Sequence, residues 1–166
     1  MGTTILVVPG DRHWTEQALH LAGAMARESA ARVMLLMMVP VAHLEYLGAG
    51  LREPLLDYAA HESLRDYVAT VQSYSVPAEV CLYEYTDYVG GLRSAAEQVG
   101  ALAVFAPAPE ARFQFVARYR LWRLRRGLRQ PLHTLKPGEP VTLSVPKLAG
   151  DMPLEARPAH SGAGTN

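Results

Sequence analysis

The stretch RFQFVARYRLWRLRRGLR, residues 112–129, gathers the side chains best able to grip an anion. It holds Arg112, Arg118, Arg120, Arg123, Arg125, Arg126 and Arg129, seven of the chain's fourteen arginines, together with Phe113, Phe115, Tyr119 and Trp122. Guanidinium groups bind phosphate and carboxylate through paired N–H donors, and aromatic rings stack on bases or anchor protein contacts. The chemistry on offer is phosphate binding, nucleic-acid binding, a membrane surface, or a partner protein.

Other candidates are sparser. Among six histidines, His13 and His20 are seven apart and share a helix face, but no third ligand stands at a suitable spacing. They read as surface groups, as do His61 and Glu62. Cys81 lies inside an apolar run and reads as a small hydrophobe rather than a nucleophile. Asp11, Arg12 and His13 follow the first apolar run, where open α/β sheets bind ligands; Asp11 is equally suited to cap the helix that follows. Tyr83, Tyr85 and Tyr88 cluster near the end of a later run.

The elements that must position these groups alternate in type. TILVVP (4–9), ARVMLLMMVPV (31–41), AEVCLYEY (78–85), ALAVFAP (101–107) and VTLSVP (141–146) read as five strands. Helical spacing runs from Trp14 to about Ser29, from Pro54 to about Tyr74, and from a Thr86 or Asp87 cap to Val99, with Gly100 placed to end it. The arginine stretch supplies the fourth helix, and PLHTLKPGEP (131–140) reads as a loop. Strands alternating with helices predict one open, mainly parallel five-stranded sheet covered on both faces. Residues 1–146 form that α/β domain, and 147–166 read as a tail that dangles or docks on a neighbour.

Composition narrows the function classes. No apolar run reaches the ~18 residues of a membrane span. The N-terminus lacks a basic leader region, and Leu6 breaks a myristoylation signal. A single cysteine fits a reducing, cytoplasmic setting. The zero net charge conceals a split. Residues 1–111 carry a net of −7, from six arginines against thirteen acids, and residues 112–166 carry +7, from ten bases against three acids. Such a chain can attract a second copy of itself, so the split does not by itself call for nucleic acid.

The segment ILVVPGDRHWTEQALHLAGAMARESAARVMLLMMVP resembles the first strand, loop, long helix and second strand of the universal stress protein family. TDYVGGLRSAAEQVGALAVFAP is similar to its third helix and fourth strand, and VTLSVP to its last strand. The resemblance covers roughly residues 3 to 146. It implies a five-stranded sheet of flavodoxin-like or Rossmann-like order. It also implies a homodimer, often formed by pairing last strands, which puts Val141 and Leu143 at the contact. Many members bind ATP; others act as regulatory or interaction modules.

The family's binders place an aspartate just after the first strand, where this chain has Gly10 with Asp11 one residue later. After the fourth strand they carry two glycines and then Gly-Ser or Gly-Thr, which cradle the phosphates. Here Pro107 and Glu110 stand where the glycines would be, and no Gly-Ser or Gly-Thr follows before Gly127. Proline has no N–H to offer, and a glutamate repels phosphate. ATP binding in the usual mode is therefore not expected.

On a helical wheel Phe113, Ala117, Leu121, Leu124 and Leu128 form a sheet-facing stripe. Phe115, Tyr119 and Trp122 fall opposite, joined by Arg126 and Arg129. That second face needs a cover: the loop Leu44–Glu53, the tail, or another subunit. A protein contact, between copies or with another protein, is favoured over nucleic acid, because no nucleic-acid motif accompanies the arginines. The expected function is a non-catalytic regulatory or interaction module, dimeric and without cofactor. The alternative is a nucleotide or small-ligand binder using Gly10, Asp11 and Arg12 with phosphate contacts from Arg112 and Arg118. A nucleic-acid-associated protein is the weaker third.

Overall fold

The computed structural model describes residues 3–41, 58–108 and 114–135. Among these residues four helices alternate with five strands. They are β1 (Thr4–Val7), α1 (Arg12–Glu28), β2 (Arg32–Pro40), α2 (Tyr58–Gln72), β3 (Ala78–Tyr85), α3 (Tyr88–Gln98), β4 (Ala101–Phe105), α4 (Gln114–Gly127) and β5 (Leu132–His133). The sheet order is β3-β2-β1-β4-β5, and every pairing is parallel. The expected open α/β sheet is present.

Its central strands, β1 and β4 with the first half of β2, are buried on both sides, as a doubly covered parallel sheet requires, whereas edge strand β3 leaves Val80 and Leu82 exposed. Ile5, Val7, Val33, Leu35 and Phe105 face one core with Trp14, Leu19 and Met25 of α1 and Val71 of α2. Leu6, Met34, Leu36 and Val104 face the other, with Leu92 of α3 and Leu124 of α4. In β4 the alternation slips: Ala101 faces the second core and Ala103 the first. The pairing register with β1 shifts there, Thr4 opposing Ala101 and Ile5 opposing Ala103, so Leu102 is the extra residue of a bulge.

Local signals explain the helix ends. Asp11 Oδ1 accepts from the Trp14 N–H at 2.9 Å and Asp87 Oδ2 from the Gly90 N–H at 2.8 Å, each satisfying a donor that the helix itself cannot. Gly100 follows α3 at φ +59°, the left-handed conformation that glycine adopts without strain.

The last strand corrects the sequence reading. Residues 131–140 were expected to form a loop, yet Leu132 and His133 pair with Val104 and Phe105 as β5. The Val104 N–H donates to the Pro131 carbonyl at 3.0 Å, and the His133 ring stacks on Phe105 at 4.8 Å. A four-residue link from α4 is an ordinary αβ connection, and it delivers the chain to the free edge of β4. The expected strand at 141–146, with Val141 and Leu143, lies outside the described residues, as do Arg112, Phe113, Glu110, the loop Leu44–Glu53 and the tail.

Candidate functional site

β1 and β4 are neighbours from which the chain winds in opposite directions, β1 towards β2 and β3, β4 towards β5. Open α/β sheets have their crevice at the carboxyl ends of such a pair. A cavity of about 990 Å³ lies there. Its floor is apolar, with Val8, Trp14, Met38 and Leu124; Tyr85 and Tyr88 wall one side, and Tyr119, Arg120 and Arg123 of α4 the other.

The turn from β1 into α1 forms one lip and is closed on itself. The Gly10 N–H donates to Thr15 Oγ1 at 3.0 Å, the Thr15 hydroxyl donates to the Asp11 carbonyl at 2.8 Å, and the Asp11 carboxylate caps α1. Pro107, beyond β4, forms the facing lip. A Cβ placed on Gly10 would lie 3.1 Å from the Pro107 Cβ and 3.4 Å from Trp14 Cε3, so the two lips touch.

Tyr88 contributes an unusual phenol. Burial, and next the neighbouring Tyr85, push its pKa up to about 12. The two rings meet edge to face at 5.6 Å. Trp14, 8% exposed, has a buried Nε1–H with no hydrogen-bond partner among the described residues.

The structure sorts the sequence candidates. Gly10 and Asp11 line the cavity, with His13 between Asp11 and Trp14. Arg12 does not; it points into solvent, paired with Glu16 at 2.8 Å. Arg118 is exposed and is not on the cavity wall, where Arg120 and Arg123 of the same helix stand instead. Of the tyrosine cluster, Tyr85 and Tyr88 reach the cavity, while Tyr83 packs against the second core. His13 contacts Gln17 at 3.1 Å and His20 contacts Tyr74 at 2.9 Å. Among the described residues, no group of three His, Cys, Asp or Glu could hold a metal ion, and no helix is long and apolar enough to cross a membrane.

α4 has the two-sided character read from its sequence. Leu124 and Leu128 are buried against the sheet, whereas Phe115, Tyr119 and Trp122 are 71%, 61% and 52% exposed. Tyr119 and Trp122 stack at 5.9 Å, and the Arg126 guanidinium lies 5.4 Å from the Trp122 ring centre. Arg129 approaches Glu97 at 3.9 Å.

A second cleft, which the sequence did not reveal, opens between the first turn of α3 and α4. It measures about 360 Å³ and is lined by Arg93, Trp122, Arg123 and Arg126 together with Asp87.

No family model and no curated protein matches the chain in sequence. Solved structures do match in shape. The universal stress protein from Archaeoglobus fulgidus superposes with a TM-score of 0.57 at 21% identity, covering 81% of this chain and 93% of that one. That organism's universal stress protein in complex with dAMP gives 0.56 at 22%, covering 81% and 98%. A universal stress protein in complex with cAMP gives 0.54 at 15%, covering 81% and 97%. Element order, sheet order and these superpositions agree: the chain has the fold of the universal stress proteins.

Proposed function

We propose that the chain is a non-catalytic regulatory or interaction module of universal-stress-like type, whose ligand site is the cavity at the ends of β1 and β4 and which does not hold ATP in the family's usual way. The observation that carries this reading is the contact between Gly10 and Pro107. The resemblance assigns an aspartate to the first position and a phosphate-loop glycine to the second. A side chain at residue 10 meets Pro107 at 3.1 Å, Pro107 has no N–H, and the Gly10 N–H is already given to Thr15. An apolar body suits the floor better than a triphosphate suits the lips. The non-catalytic reading draws support from the polar groups at the mouth, since Asp11 and Asp87 are occupied as helix caps.

Exposed Phe115, Tyr119 and Trp122 beside arginines are the residue mix of protein contact surfaces. The module acts in the cytoplasm as a dimer or with a protein partner on this face. Trp122→Ala with Tyr119→Ala then lowers the mass in solution if the contact is between copies; an unchanged mass removes the dimer contact from this helix.

A second reading, nucleotide binding by non-standard contacts, is favoured by the dAMP and cAMP complexes of the structural neighbours and by Arg120 and Arg123 on the cavity wall. Calorimetric titration with ATP, dAMP and cAMP separates the two. Heat of binding with dAMP or cAMP moves the assignment to the second reading; silence with all three supports the first.

A further inference from the structure

The two clefts adjoin. Asp87, Val89 and Arg123 line both of them, so the apolar cavity and the arginine-lined cleft meet at a shared wall. Their chemistry differs sharply. The larger has an apolar floor that includes Met37 and Met38, whose flexible side chains adapt to irregular apolar guests. The smaller has three arginines, Arg93, Arg123 and Arg126, against one acid, Asp87. That acid is committed: Asp87 Oδ2 accepts from Gly90 N and Oδ1 from Arg123 Nη2, at 2.8 and 3.4 Å. The cleft therefore keeps an excess of positive charge at Arg93 and Arg126. The exposed Trp122 ring beside them offers a face for the neck of a ligand.

We propose that the two clefts form one site for an amphipathic anion: an apolar body in the larger cavity and a phosphate or carboxylate head between Arg93 and Arg126. Burial of an apolar chain supplies the affinity, and a head held by charge-assisted hydrogen bonds supplies the selection. The head then lies against the α4 face assigned above to a protein contact. The inference rests on the larger cavity being the ligand site, and the experiment separates the two claims.

The probes are octyl phosphate, octanol and inorganic phosphate, titrated calorimetrically into the full-length chain, its R93Q/R126Q variant and its Met38→Trp variant. Both arginines are exposed, so their replacement leaves the core intact. Octyl phosphate is expected to bind at least tenfold more tightly than octanol and than inorganic phosphate. R93Q/R126Q should weaken octyl phosphate about tenfold and leave octanol unchanged, and Met38→Trp should weaken both alkyl ligands. Octanol binding with no preference for octyl phosphate overturns the inference and leaves the cavity reading standing. Failure of both alkyl probes overturns both. Sedimentation with phosphatidic acid vesicles fixes the source of the head group: arginine-dependent sedimentation assigns a lipid, and its absence beside binding of octyl phosphate assigns a soluble amphiphile.

Discussion

The helices on either side of the cavity use their side chains in opposite ways. α1 buries eight residues, is capped by Asp11, and takes Trp14, Leu19 and Met25 into the core. α4, among its described side chains, fully buries Leu124 alone and turns three aromatics and a row of arginines outward. α1 holds the fold and α4 furnishes a surface. Damage to the first should appear in stability, and damage to the second in binding.

The largest expected effect lies on α1. Leu19→Ala leaves a cavity in the first core and should cost about 2–5 kcal/mol in denaturant unfolding. An equal loss from an outward substitution on α4 would collapse the contrast.

Next comes the contact between the two lips. Gly10→Asp drives a side chain against Pro107 and should cost about 1–3 kcal/mol. The cost should shrink in a Pro107→Gly background, because residues in contact are coupled. Additive costs in the double variant would mean that the lips do not touch.

Tyr88 sharpens the comparison from the cavity side. Its raised pKa means that the neutral phenol is favoured by folding, so the associated stability is present below pH of about 10 and is lost as pH rises through about 12. Ultraviolet titration should show one phenol ionising near 12 that disappears in Tyr88→Phe. Ionisation of every tyrosine near 10 would place Tyr88 in water.

The smallest effect is on the outer face of α4. Trp122→Ala should change stability by no more than about 0.5 kcal/mol, as expected for a ring 52% exposed. A larger loss, read by the same denaturant unfolding, would show that this face is covered within the fold.

Much of the architecture was legible in the sequence because its signals are local. Runs such as TILVVP and RVMLLMMVP announce buried strands, Asp11 and Asp87 announce helix starts, and Gly100 a helix end. β5 was not legible, since two residues carry no period; the longer apolar VTLSVP drew the assignment instead. In the site, Gly10 and Asp11 followed from the position of the first strand. His13, read beside Asp11 and Arg12 at that mouth, also lines the cavity, while Arg12 and Arg118 point elsewhere because successive residues of a helix turn by about 100°, and Arg120 and Arg123 line it from α4. The Gly10–Pro107 contact and the cleft between α3 and α4 join segments distant in the chain, and no local pattern encodes them.

The central claim is that the cavity takes an apolar body and not a triphosphate. Thermal unfolding of the full-length chain with ATP, and separately with octanol, tests it most directly. A ligand at a hundredfold excess over its Kd stabilises by about 2.7 kcal/mol, several degrees in Tm for a chain of this size. The account predicts a rise with octanol that Met38→Trp abolishes, and no change with ATP. A rise with ATP and none with octanol would contradict it.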